Sequence, residues 1–369
     1  MSQGHGEETI EMNGRSIRPV LIASERTLSD YSACLRHLLV GLADESVPVG
    51  LVCPAGSNVE SVVPIPIEVI THPAYDLPLL WIQNRKILLE KLDRFNPTVL
   101  HCLCEGKAAF TRKLSRQMNL PYVLTMNSLQ PRRGQTSLSS SRCVKIIAPL
   151  KSISSSFTKK YPKLGKRVAQ INMGTFVEDE VCCFNEENEL ANLITCFCGE
   201  NPDVFLRFLG AVKRLSADGY KFMLVIVSEG RAERRLRKML RDPVFSEIAA
   251  VVPRLEPWRS MLSAGDIFIR ATASESFEPL LLEAMSVGNA VAGCKGGVDD
   301  LIVDGKTAAV FNTNNEADVY ATLKGLMEDR EVARRLAKSA QDYLRKKHTV
   351  SGMVSATLEV YRQSQNSEI

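Results

Sequence analysis

The chain has 369 residues, enough for two domains at ~100–200 residues each. Its 45% hydrophobic and 24% charged content are those of an ordinary globular protein, and a net charge of +4 is too small to argue for nucleic acid as a partner. No apolar run approaches the ~18–20 residues of a membrane span, and the polar opening residues 1–16, MSQGHGEETIEMNGRS, have the pattern of neither a signal nor a transit peptide. They are read as a loose tail, and the chain is expected in the cytoplasm.

Short apolar runs then alternate with helical patterns. RPVLIAS predicts a strand, and Tyr31–Leu42 a helix. The strands VGLVC and IPIEVI follow, then a helix over Leu79–Phe95 and the strand TVLHC. Next come a helix over Gly106–Met118, the strands PYVLT and VKIIA, a helix over Ser152–Tyr161 and the strand VAQIN. Strands apolar on both faces and separated by helices belong to a parallel sheet covered on both sides.

A polar, acidic stretch, TFVEDEVCCFNEENE (Thr175–Glu189), interrupts the pattern, which restarts with the strand LITCFCG. A helix over Asp203–Leu215, the strand KFMLVIVS, a helix over Ala232–Leu240 and the strands IAAVV and DIFIR come next. Then follow a helix over Pro279–Val287 and the strands AVAGC and AAVF, and helices over Glu316–Lys347 and Gly352–Gln363 close the chain. The expected fold class is therefore α/β, with two Rossmann-like, doubly wound domains facing across a cleft. The domains are assigned to residues 17–175 and 176–350, with a terminal helix over 351–369. Ligands in open α/β sheets bind outside the strand C-terminal edges, so a site between the domains is expected.

The ten cysteines contain no C-x-x-C pair and several lie in apolar runs, as in ITCFCG and VLHCLC. They read as buried thiols acting as small hydrophobes. The five histidines form no ligand cluster, and no metal is expected.

The stretch ATASESFEPLLLEAMSVG (Ala271–Gly288) carries the chemistry. It reads as loop, then helix, with Pro279 at the first helical position, where its missing N–H costs nothing. The free amides of the first turn form an anion site. Glu275 in the loop and Glu283 one turn into the helix can both face a ligand arriving there. A phosphate on the amides and hydroxyls on the carboxylates describe a phosphorylated sugar.

Glu275-x7-Glu283, then AM-x-x-G (Ala284–Gly288) and GGVDDLIVDG (Gly296–Gly305), resembles the C-terminal signature of the family-4, or group 1, glycosyltransferases with the GT-B fold. LVIVSEGRAERRLRKML is similar to that family's strand, G-x-G and helix, and VAQINMGTF to its interdomain V-I-P-N-G-V. The resemblance implies a nucleotide-sugar donor, such as a UDP- or GDP-sugar, on the C-terminal domain and transfer with retention, without a metal. It implies Glu283 on the ribose and Glu275, the catalytic candidate, on the donor sugar. The amides of Ser276, Phe277 and Glu278 would lie near the diphosphate, and the Gly296–Gly297 loop beside the donor. The last helix would cross back to the N-terminal domain, which would take an unknown acceptor.

The chain also departs from the family pattern. Glu278 stands where the family has a glycine, and a like charge there opposes phosphate. Glu200 stands where a diphosphate-binding Arg belongs, and no Lys follows it. SERTLSDYS replaces a Gly-Gly loop after the first strand, Asn127 replaces a His, and Ala271–Thr272 replaces Pro-Ser. Arg207, Arg231, Arg270 and Lys295 are the candidate replacement cations. Three functions therefore stay open: a retaining glycosyltransferase, a non-catalytic pseudo-glycosyltransferase acting as a binding or scaffold protein, or an enzyme with a rebuilt donor site.

Other features have structural readings beside functional ones. Trp258 reads as packing at a helix start. Lys159–Arg167 and Pro131–Gln135 read as solvated faces, with peripheral contact to anionic lipid at the inner face of the membrane as the functional alternative, and the basic helix Arg231–Arg241 reads as a solvated face. His101 ends a strand at the cleft edge, as a ligand contact or a structural histidine.

Overall fold

A computed structural model describes residues 16–60, 62–63, 66–72, 81–130, 141–185, 189–199, 201–253 and 258–365. Residues 1–15, residues 131–135 and Glu200, which the sequence singled out, lie outside the described residues.

The first domain runs β1 (Pro19–Ile22), α1 (Glu25–Asp30), α2 (Ser32–Asp44), β2 (Gly50–Pro54), β3 (Glu68–His72), α3 (Trp81–Phe95) and β4 (Val99–Cys102). It continues with α4 (Ala108–Met118), β5 (Tyr122–Thr125), β6 (Cys143–Ala148), α5 (Lys151–Lys160) and β7 (Val168–Gln170). The second holds β8 (Ala191–Cys196), α6 (Pro202–Ala217), β9 (Phe222–Val227), α7 (Gly230–Met239), α8 (Pro243–Ile248) and β10 (Ala249–Val252). It goes on through α9 (Trp258–Ser263), β11 (Ile267–Arg270), α10 (Pro279–Val287), β12 (Ala290–Gly293), β13 (Ala309–Val310), α11 (Glu316–Glu328) and α12 (Arg330–Lys347), and α13 (Val350–Gln365) ends the chain.

The sheets have the orders β3-β2-β1-β4-β5-β6-β7 and β10-β9-β8-β11-β12-β13, and all their pairings are parallel. The central strands β1, β4, β5, β11 and β12 are buried along their whole length, as their continuous apolar runs predict. Two layers of side chains, one on each face, cover each sheet and form the cores.

Two helices, α1 and α8, escaped the sequence reading because each is a short, six-residue turn, while the equally short α9 begins at Trp258, where a helix start was expected. The helix predicted over 316–347 is two helices. Asp329 ends α11, and its side chain accepts from the Val332 amide to cap α12, which outweighs the continuous apolar period. In α13, Val350, Met353, Val354, Leu358 and Tyr361 join Leu39, Leu51 and Val123 of the first domain in one core. His101 anchors this helix: its Nδ1 meets the Tyr361 hydroxyl at 2.6 Å and its Nε2 meets Thr125 Oγ1 at 2.7 Å. It is 2% exposed, so its role is structural.

All ten cysteines are thiols, and six of them are buried. Burial drives the Cys143, Cys182 and Cys183 thiols up to about 12, consistent with inert packing residues.

Candidate active site

Strand order reverses between β1 and β4 in one sheet and between β8 and β11 in the other. The loops leaving these four strands converge on one crevice, as parallel sheets require. Its cavity measures about 560 Å3. Ser24, Tyr31, Glu105 and Asn127 line it from the first domain, and Cys196, Trp258, Thr272, Glu275, Ser276, Phe277, Glu278 and Glu283 from the second.

The loop 271–278 crosses this crevice between β11 and α10. Pro279 is the first residue of α10, and Glu278 is its N-cap in extended conformation, with no side-chain capping bond. The loop is tied to the first domain. Ser276 forms an antiparallel bridge with Ser128. The Leu129 amide donates to the Glu275 carbonyl at 2.9 Å, and the Phe277 amide to the Asn127 carbonyl at 2.8 Å. The Tyr31 hydroxyl donates to the Phe277 carbonyl at 3.2 Å. Within the loop, the Ser276 amide donates to Ser274 Oγ at 3.1 Å. Two of the three amides assigned to a diphosphate thus already donate within the protein.

Glu105 holds the first-domain side of this bridge. Its Oε1 accepts from the Asn127 amide at 2.6 Å, the Ser128 amide at 3.0 Å and Ser128 Oγ at 3.1 Å. Asn127 donates through Nδ2 to the Leu103 carbonyl, while its buried Oδ1 has no partner among the described residues. Nothing in the sequence around Glu105 marks it, because its ligands are backbone groups brought in by β5.

Five carboxylates line the cavity, and their partners separate them. Asp30 pairs with Arg26 at 2.8 Å, and Arg26 is the basic side chain on this wall among the described residues. Glu105 is held as above. Glu278 neither points freely outward nor caps its own helix: it pairs with Arg270 at 2.5 Å. Glu283 is 1% exposed, accepts from Thr175 Oγ1 at 2.7 Å and pairs with Arg259 at 3.0 Å. His37 Nδ1 stands 3.9 Å from it, and burial pulls that imidazole below its usual pKa against the opposing pull of Glu283. Glu275 is exposed, and no ion pair or hydrogen bond to its carboxylate is formed among the described residues.

Gly296 and Gly297 lie behind the loop, off the cavity wall. Gly297 has φ +65°, pairs with Ser274, and a Cβ there would stand 2.0 Å from the Ser274 carbonyl oxygen. Of the candidate replacement cations, Arg270 is buried and paired, while Arg207, Arg231 and Lys295 are exposed and stand off the cavity wall.

Residues 193–329 match the family model described as glycosyl transferases group 1. Over 84 residues the chain is 34% identical to the sulfoquinovosyl transferase SQD2 of Arabidopsis thaliana, a match taking in 22% of this chain and 16% of the length of that relative. The chain superposes on a glycosyltransferase from Rickettsia africae with a TM-score of 0.76 at 13% identity, covering 96% of this chain and 100% of that one. It superposes on Anabaena Alr3699/HepE, solved in complex with UDP and glucose, with a TM-score of 0.74 at 13% identity over 93% and 98% of the two chains. A sucrose-phosphate synthase from Thermosynechococcus elongatus gives 0.73 at 15% identity over 94% and 98%. None of these matches speaks for the non-catalytic alternative. With both sheets, their facing switch points and the family match in agreement, the chain has the GT-B fold and its residues 193–329 form a group 1 glycosyl transferase domain.

Proposed function

We propose that this protein is a retaining glycosyltransferase that takes its sugar from a nucleotide-sugar donor bound in the interdomain cavity. The observation that carries this reading is the exposed Glu275 carboxylate, presented at facing switch points by a loop tied to both domains. A group 1 family match over the second domain and a fold neighbour solved with UDP and glucose support it.

In this reading Glu275 accepts hydroxyls of the donor sugar and is the residue closest to the chemistry. A carboxylate offers about four acceptor positions, so Glu283, with two engaged, retains two for ribose hydroxyls. Asn127, on the first-domain wall of the cavity, stands beside the sugar. Charge develops on the leaving diphosphate, and stabilising it is the main demand on such a site. Arg26 supplies the cation for it, from the position where the family has its Gly-Gly loop. The diphosphate would lie on the Arg26 side of the cavity, and the Gly296–Gly297 loop would support the loop 271–278 from behind. No metal is required in this scheme, so a chelator should leave turnover unchanged.

Calorimetric titration with UDP, GDP and ADP, then with their sugars, tests the proposal. Micromolar binding that weakens at least tenfold in Glu283→Gln is expected, about 1.4 kcal/mol. Turnover should fall about a hundredfold or more in Glu275→Gln with donor affinity largely kept. No binding of any nucleotide by folded protein would end the donor-site reading.

No helix among the described residues is long and apolar enough to cross a membrane. The acceptor side carries exposed Lys159, Lys160, Lys163 and Lys166, and we propose this face for peripheral contact with anionic headgroups. Sedimentation with phosphatidylglycerol vesicles, and not with phosphatidylcholine vesicles, is expected. Equal recovery with both would remove this part.

A further inference from the structure

The glutamate that replaces glycine at position 278 has a partner at the end of the preceding strand. Arg270, the last residue of β11, is 3% exposed and sits under the loop. Its Nε donates to Glu278 Oε2 at 2.5 Å. Its Nη1 donates to the Cys294 carbonyl at 2.7 Å and its Nη2 to the Val298 carbonyl at 3.0 Å. Both Nη atoms also reach the Gly296 carbonyl at 3.4 Å. The carbonyls are neutral dipoles, and Glu278 is the one anion paired with this guanidinium among the described residues.

A buried cation demands a counter-anion, because neither water nor distant charge can compensate it. Glu278 meets that demand while remaining on the cavity wall, its side chain 30% exposed. The two residues therefore form a neutral unit at the corner of the cleft nearest the first turn of α10. A phosphate oxygen entering that corner finds a carboxylate instead of a cation, and the neighbouring Phe277 amide already donates to Asn127.

We infer that Glu278 is a specificity-determining residue of the proposed donor site: an internal anion that occupies Arg270 and keeps phosphate oxygens out of this corner. The inference rests on reading the cavity as a nucleotide-sugar site. It has a consequence opposite to that of losing an ordinary binding residue. Removing the carboxylate charge leaves Arg270 in need of an anion, and a phosphate can supply one.

Inorganic pyrophosphate is the probe. The isosteric change Glu278→Gln should tighten pyrophosphate binding at least tenfold, about 1.4 kcal/mol. The gain should shrink as salt is raised. It should vanish in the double variant Glu278→Gln with Arg270→Met, which removes the cation as well. Unchanged or weaker binding in folded Glu278→Gln would overturn the inference, and so would an equal gain in the double variant, which would mean that only repulsion had been relieved. UDP-glucose turnover is read separately. A pyrophosphate gain with no turnover of any donor sinks the transferase reading and leaves this inference standing. Turnover with no pyrophosphate gain does the reverse.

Discussion

Glu275 and Glu283 are eight positions apart, yet their surroundings are opposite. Glu283 points from the second turn of α10 into a buried knot of Thr175, Arg259 and His37, while Glu275 stands exposed on the loop. The spacing places both carboxylates on the wall of one cavity. What Glu283 can still bind depends on Arg259, Thr175 and His37, 24, 108 and 246 positions away, which no local pattern encodes. Gly297 shows the same limit. A Gly-Gly pair reads equally well as a turn or as a ligand loop, and here its constraint is contact with the Ser274 carbonyl. At φ +65° and with a Cβ that would stand 2.0 Å from that oxygen, Gly297→Ala should destabilise the protein by roughly 1–3 kcal/mol. Thermal denaturation of that variant checks it, and an unchanged midpoint would show that the loop can move aside.

At the scale of elements, the strands were the most legible part and the short helices the least. A run such as DIFIR or YVLT has one good destination, the middle of a covered sheet, and both became fully buried strands. The six-residue helices α1 and α8 lack two turns of apolar period, so the start signals at Ser24 and at Asp242–Pro243 were not enough to set them apart from loops. The terminal helix α13 is held to the first sheet by apolar packing and by the His101–Tyr361 contact. Burial lowers the His101 pKa from 6.5 to about 3, so the folded state holds the neutral ring. Its contribution to stability is full above about pH 6.5 and is lost as the pH falls toward 3, by about 1.4 kcal/mol per pH unit. His37 and His348 are shifted in the same direction by burial and add to the slope. Denaturant midpoints measured from pH 7 to pH 4 should fall steeply, and less steeply in His101→Gln. An identical slope in the two proteins would mean that His101 does not carry the titration.

At the scale of the whole molecule, the two domains meet through backbone as well as side chains. The bridge between residues 127–129 and 275–277 is a short antiparallel ladder between loops from different domains, and the Ser152 amide adds a bond to Asp300 Oδ1 at 2.9 Å. Glu105 supports the ladder by accepting two amides and a hydroxyl from the first-domain side. Glu105→Ala leaves those amides without their acceptor, and unsatisfied buried amides cost about 1–3 kcal/mol each. Hydrogen exchange at the Leu129 and Phe277 amides should then accelerate about tenfold or more relative to strands β5 and β11. Unchanged exchange at both would show that the ladder holds without Glu105.

The sequence by itself determined the two-sheet α/β architecture, the crevice between the sheets and the Glu275–Glu283 spacing. Each follows from short-range periodicity, from apolar runs or from the geometry of one loop and its helix. Only the tertiary structure decided which groups at that crevice are available. Arg270 is matched to Glu278, Glu283 to Arg259, and the Phe277 amide to the Asn127 carbonyl, across 8, 24 and 150 positions of the chain. Charge and hydrogen-bond neutralisation act through space over a few ångströms, so the state of each group is set by whichever segment the fold brings beside it.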